Sequence, residues 1–220
     1  VGAIAAVIWY FRQDLLAKFR GLFTGDSKVI KFWQNWIIAT IPAILAGVLI
    51  EKQFSKLATP GVIAVTFIIG GILMWMIETY HTPRPAKVQP QFDSLTRKQS
   101  LQVGLYQIIA LIPGVSRSGA TIMGGLLSGL DRVTATAFSF YLSIPIIVLA
   151  SSYKLLKGRD DMASVAGGGL AIIAGTIAAF ITAFIVIGWL LKYVSKHNFK
   201  PFAYYRIILG ILILTVLFLS

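Results

Sequence analysis

The chain has 220 residues, 57% of them hydrophobic and only 13% charged, with a mean hydropathy of +0.80. Soluble domains carry about 25% charged residues, so the composition excludes an ordinary soluble globule and describes an all-α, polytopic membrane bundle forming a single domain over residues 1–220. The formal net charge is +12, but the Lys and Arg lie between apolar runs, where they set orientation and meet anionic lipid rather than nucleic acid; cysteine is absent, which excludes disulfides and thiolate metal sites.

The chain opens on Val1-Gly2-Ala3-Ile4 without Met or a signal-peptide pattern. Residues 1–11 are apolar but too short to span. They read as the tail of a helix, with an N-terminal segment expected upstream. Residues 12–31 mix charge with Leu15, Leu16, Phe19, Leu22 and Phe23 at helical spacing, which predicts an interfacial segment. Trp33 and Trp36 read as interfacial belt anchors. Residues 36–50 predict a span kinked at Pro42, and 60–80 a second span in which Gly70-Gly71 permits close helix contact. The stretch 81–100 holds Pro83, Pro85 and Pro90 and reads as a loop. Residues 133–153 predict a span kinked at Pro145, 154–164 a polar loop, 167–191 a Gly- and Ala-rich span, 192–200 a basic loop, and 201–220 the last span.

Between residues 101 and 130 the pattern differs. Two apolar arms, each far below the ~20 residues that cross a bilayer, flank Pro113-Gly114-Val115-Ser116-Arg117-Ser118-Gly119-Ala120-Thr121. Pro113 lacks an N–H and disfavours helix at Ile112. Gly114 and Gly119 free the backbone. The reading is a re-entrant helix-loop-helix, with short helices at 101–112 and 121–130 and the loop 113–120 buried near mid-membrane. A helix restarting near Ser118 leaves unpaired N–H groups and positive partial charge at its first turn. With the forked donor of Arg117, that makes an anion site suited to phosphate. Arg117, Ser116 and Thr121 are the candidate catalytic residues. Gly114, Ser118 and Gly119 are the candidate substrate-binding residues. The plainer alternative is a Gly/Ser helix contact with Arg117 snorkelling to the headgroups.

If the short pair enters and leaves on one side, the loops 12–31, 81–100, 131–132 and 192–200 share a face and carry most of the loop Lys and Arg. The positive-inside rule puts that face in the cytoplasm and Ser220 outside. Glu78 reads as an interfacial charge. Arg206 reads as snorkelling, with a pairing to Glu78 or a lipid phosphate as the alternative. Gly167-Gly168-Gly169 reads as a helix start or packing face. His81 and His197 read as loop residues without a catalytic role.

The motif at 113–121 resembles the second signature of the bacterial undecaprenyl-diphosphate phosphatases, the bacitracin-resistance family. Gln107, Phe138-Ser139-Phe140, Pro145 and Pro201-Phe202-Ala203-Tyr204-Tyr205-Arg206 stand where that family has similar residues. Gly2-Ala3-Ile4-Ala5-Ala6-Val7 is similar to its first complete transmembrane helix. The resemblance implies a multi-pass enzyme of the bacterial inner membrane, with an inverted-repeat fold and two re-entrant pairs. The implied activity removes the terminal phosphate of undecaprenyl diphosphate and returns the carrier lipid to cell-wall synthesis. It implies a site facing the periplasm and a divalent cation, Mg2+ or Ca2+, and it leaves room for a homodimer. The family's other signature, a Glu-rich helix before a Pro-x-Ser-Ser-x-Gly-His elbow, has no match here. Metal ligands and the acid/base group are therefore expected upstream of Val1, and the 220 residues alone are expected to be inactive. The competing reading is a polyprenyl-phosphate flippase or transporter built on the same inverted-repeat anatomy.

Overall fold

The structure is a computed structural model that describes residues 1–81, 89–157 and 168–219. Every regular element among the described residues is helical: α1 (Gly2–Tyr10), α2 (Arg12–Phe23), α3 (Ser27–Ser55), α4 (Pro60–Tyr80), α5 (Arg97–Ile108), α6 (Arg117–Leu127), α7 (Arg132–Lys157), α8 (Gly168–Val194) and α9 (Lys200–Leu219). Five of these, α3, α4, α7, α8 and α9, are long and apolar enough to cross a membrane. The chain is a multi-pass membrane protein.

Most helix starts carry a side-chain cap that satisfies otherwise orphaned N–H groups. Asp26 accepts from the Lys28 N–H at 2.9 Å before α3, and Thr59 accepts from Val62 before Pro60 opens α4. Thr96 and Gln99 form a reciprocal capping box at α5. Asp131 accepts from Val133 and Thr134, both at 3.1 Å, at the start of α7.

Several boundaries differ from the sequence reading. The interfacial segment 12–31 divides at Gly25 (φ +71°) into α2 and the first turn of α3. The span read as 36–50 is the middle of a 29-residue helix, because the Asp26 cap starts it early. The loop after α4 ends at Thr96 rather than Ser100. The second arm of the short pair begins at Arg117, not Thr121, and ends at Leu127. Helix α7 runs on through 154–157, while 158–164 of the expected polar loop and Gly167 lie outside the described residues, as do 82–88. The indole N–H groups of Trp33 and Trp36 donate to the carbonyls of Lys18 and Tyr141, so these two rings hold the protein together rather than only marking the interface.

Helix α7 is the centre. Over half of its most apolar stretch is buried in protein, against 6% for α8, and Phe138, Tyr141 and Leu142 are fully enclosed. Helix α2 is fastened to it. Asp14 accepts from the Tyr141 hydroxyl, and the Lys18 ammonium, paired to Asp14, sits 4.7 Å from the Phe32 ring and 5.1 Å from the Phe92 ring.

Helices α5 and α6 have 12 and 11 residues. At 1.5 Å per residue neither reaches across a hydrocarbon core of about 30 Å. Their outer ends meet: Gln99 Nε2, in the first turn of α5, donates to the carbonyl of Ser128, just past α6, at 2.9 Å. The pair therefore enters and leaves on one side. Helix α5 lies on α3, where a side chain at Gly104 would come within 2.5 Å of the Ala39 carbonyl. Helix α9 lies along α4 with equal closeness at Gly71 and Gly210, the backbone approach that small residues allow in membranes.

Candidate functional site

The elbow between α5 and α6 is built by backbone restrictions and held by distant donors. A 3₁₀ turn at Ile109–Leu111 ends on an extended Ile112, as a following proline requires. Gly114 takes φ +85°, and a Cβ there would run into Thr66 Oγ1 and lie 2.9 Å from Ile63 Cα. Only glycine fits. Thr66 Oγ1 lies 2.8 Å from the Pro113 carbonyl. Arg206 Nη2 donates to the carbonyls of Gly114 (3.1 Å) and Thr66 (3.3 Å). The tip of the hairpin is thus docked on α4 and α9.

Ser116 is the N-cap of α6. Its Oγ accepts from the Gly119 N–H at 3.1 Å and lies 3.2 Å from Ser118 Oγ. The Ala120 N–H goes to the Ser116 carbonyl. The N–H groups of Arg117 and Ser118 remain without a partner among the described residues, two donors at the positive end of an 11-residue helix. Arg117 Nη1 donates to the Ser139 carbonyl on α7 at 2.8 Å. Thr121 is buried. Its Oγ1 lies 2.7 Å from Ser139 Oγ and bonds back to the carbonyls of Arg117 and Ser118.

A cavity of about 440 Å³ adjoins the elbow. Ser116, Gly119, Thr66 and Arg206 supply its polar end, and Leu73, Met74, Tyr106 and Met123 are among its apolar walls. Ile69, Leu73 and Ile109 line it while also being about half exposed, so it reaches the lipid-facing surface. The six residues picked out from the sequence thus divide. Ser116 and Gly119 border the cavity, Gly114 forms the turn beside it, Arg117 and Thr121 bond to Ser139 on α7, and the Ser118 hydroxyl lies beside that of Ser116.

Two polar residues stand elsewhere than the sequence reading put them. Arg206 does not snorkel: it is buried, holds the elbow, and lies 4.5 Å from the Phe67 ring centroid. Glu78 is not an interfacial charge. Its side chain is fully buried and forms a two-point ion pair with Arg132, at 2.6 Å and 3.1 Å. Ser139, which receives both Arg117 and Thr121, was visible in the sequence only as part of the Phe138-Ser139-Phe140 likeness. Neither Arg117 nor Arg206 meets a carboxylate among the described residues.

The glycines around Arg206 allow a direct test of its position. Gly70→Ala puts a methyl 2.8 Å from Arg206 Nη2, the movable end of a long side chain, whereas Gly71→Ala puts one 2.8 Å from the Ala203 carbonyl, which is backbone. Gly71→Ala is expected to lower the melting temperature, overpacking costing about 1–3 kcal/mol. Gly70→Ala is expected to melt like the wild type while displacing Arg206 from the elbow. Equal destabilisation in thermal melts would contradict this arrangement.

Among the described residues no three His, Asp or Glu side chains come together. Asp14 is engaged by Lys18 and Tyr141, Asp26 caps α3, Glu78 pairs with Arg132, Asp93 lies 3.7 Å from Lys28, and Asp131 caps α7. Each of these carboxylates is thus already engaged within the protein.

Comparison with known proteins agrees with this anatomy. The family described as "Bacitracin resistance protein BacA" matches residues 1–212. The chain is 41% identical to Undecaprenyl-diphosphatase 3 of Acinetobacter baylyi, over 99% of this chain and 80% of that protein. It is 42% identical to Undecaprenyl-diphosphatase of Cupriavidus metallidurans, over 97% and 78%, and 44% identical to Undecaprenyl-diphosphatase 1 of Burkholderia thailandensis, over 98% and 78%. A match of this extent, on a chain whose helices and elbow are those described, places it: the protein belongs to the BacA family of bacitracin resistance proteins.

Proposed function

We propose that the protein is an undecaprenyl-diphosphate phosphatase, which hydrolyses the terminal phosphate of its lipid substrate, regenerates undecaprenyl phosphate for peptidoglycan synthesis and thereby confers bacitracin resistance. The observation that carries this reading is the pair of arginines without carboxylate partners, one within the elbow and one bonded to it. Uncompensated cations inside a membrane protein are costly and mark function, and a diphosphate supplies the missing charge.

The remaining geometry fits such a substrate. The apolar walls of the cavity suit a prenyl chain, and its opening to lipid gives the chain a route in. At the polar end stand the Ser116 hydroxyl and the Arg206 guanidinium. Behind them lie the free N–H groups of Arg117 and Ser118. Water attacks the terminal phosphorus, the bond from phosphorus to the bridging oxygen breaks, and undecaprenyl phosphate leaves with that oxygen. Charge spreads over the transferred phosphoryl oxygens, so positioning and fixed donors carry the catalysis. Arg117 and Arg206 are assigned to that charge, and Ser116, Ser118, Gly114 and Gly119 to the shape and donors of the cradle. Thr121 positions Arg117 and Ser139. A nucleophilic Ser116 needs a base, and no described carboxylate or imidazole bonds to it, so Ser116 is assigned to orienting phosphate. The divalent cation implied by the family likeness would, when bound, shield the charge of the diphosphate.

We further assign the face bearing α2, the start of α5, residues 131–132 and the loop between α8 and α9 to the cytoplasm of the inner membrane, from its excess of Lys and Arg. The elbow at the tip of the short pair then points away from the cytoplasm, toward the side that the family likeness implies for the site. A C-terminal reporter active only outside the cytoplasm is the expected result.

The function is tested by reconstituting the intact protein with undecaprenyl diphosphate and measuring free phosphate and lipid together. Equal amounts of phosphate and undecaprenyl phosphate are expected. Movement of intact diphosphate between leaflets with no phosphate released would replace the phosphatase with a flippase.

A further inference from the structure

A second cavity, of about 520 Å³, lies away from the elbow, where the loop between α8 and α9 meets the start of α7. Its charged lining is basic, Arg132 and Lys196, with His197 beside them. The carboxylate bonded to Arg132, Glu78, is already saturated, by two nitrogens of Arg132 and by the Phe199 N–H at 3.1 Å. The Lys196 ammonium has no partner among the described residues, and the residue is exposed. Asn198 spends its carbonyl oxygen on the Lys200 N–H, which leaves its amide N–H groups as donors. His197 Nδ1 lies 3.2 Å from the Tyr193 carbonyl, which orients the ring at the cavity wall. Among the described residues the cavity therefore offers the cations of Arg132 and Lys196 and the Asn198 amide as donors, and no free carboxylate.

Its surroundings say where it sits. The His197 ring stacks on Tyr193 at 4.6 Å, and Tyr193 stacks on Trp189 at 5.2 Å. Trp189 is about half exposed on the apolar flank of α8. Such a ladder, from an outward-facing tryptophan to a basic loop, is the arrangement found where hydrocarbon gives way to headgroups. Basic pockets between transmembrane helices at that depth bind anionic lipid headgroups.

We propose that this cavity holds the phosphate of an anionic phospholipid, with the acyl chains lying along Trp189, as a site separate from the elbow and independent of hydrolysis there. The test uses the intact protein in phosphatidylcholine nanodiscs doped with spin-labelled phosphatidylglycerol, reading the motionally restricted fraction of the label. The double variant Lys196→Gln/His197→Gln is expected to weaken retention of this lipid at least about fivefold, the effect of one lysine at a membrane surface, with labelled phosphatidylcholine unaffected. Lys28→Gln/Lys31→Gln, a pair at the start of α3, is expected to change nothing. Retention within twofold of wild type in the first variant, or an equal loss in the second, would overturn the site. Release of the label by millimolar inorganic phosphate at constant ionic strength would assign the cavity to the free anion and overturn the lipid reading.

Discussion

Arg117→Ala in the intact protein is expected to lower phosphate release by about 10²–10³, the usual cost of removing one fixed donor from a developing charge, and Arg117→Lys is expected to lose most of that activity too. The Lys variant carries the argument. One guanidinium nitrogen is taken by the Ser139 carbonyl at 2.8 Å, and an ammonium can still make a bond of that kind. The fold is therefore expected to survive the substitution. What Lys lacks is the planar fork that grips two phosphate oxygens while one arm stays on Ser139. Phosphate release at matched expression, with thermal melts alongside, separates the two roles. Wild-type turnover in Arg117→Lys would reduce Arg117 to a structural hydrogen bond. Ser116→Ala should be milder, since Ser116 shapes the cap through Gly119. A loss as large as that of Arg117→Ala would argue for a phosphoserine intermediate.

Glu78→Leu is expected to be the most destabilising single change. The carboxylate is fully buried and accepts from Arg132 and from the Phe199 N–H. It thereby joins the end of α4 to the starts of α7 and α9. Removing it strands a largely buried guanidinium, which costs about 3–5 kcal/mol. Replacing both partners, as in Glu78→Leu/Arg132→Met, removes the stranded charge and is expected to recover much of the loss. Thermal unfolding in detergent reads both. A single variant that melts like the wild type, or a double variant no better than the single, would show that the pair is not a structural joint.

The contrast between these residues shows what the sequence could reveal. Helix α4 was legible to the residue, because Thr59-Pro60 opens it and its apolar run stops at Tyr80. The short pair was legible as a pair, because two arms below spanning length flank a Pro-Gly turn. The start of α6 was misplaced by four residues. The apolar run begins at Ile122, and the cap signal lay in Ser116, inside the motif itself. Arg206 could not be read at all. Its partners Thr66 and Gly114 are 140 and 92 residues away, and no local pattern records such a pairing. The same holds for Glu78 and Arg132, 54 residues apart. Local rules found the elements and the charged elbow, while the long-range bonds that fix the elbow's surroundings had to come from the fold.

The two arginines of the elbow are moored to different parts of the molecule. Arg117 is tied to the central helix α7 through Ser139, whereas Arg206 belongs to the α4–α9 pair, which grips the tip at Gly114. An anion held by both would staple one block to the other. Ligand binding is thus expected to stiffen the whole bundle and raise its melting temperature, and product release to require the staple to open. Loss of either mooring should abolish that rise while leaving the empty protein as stable as before.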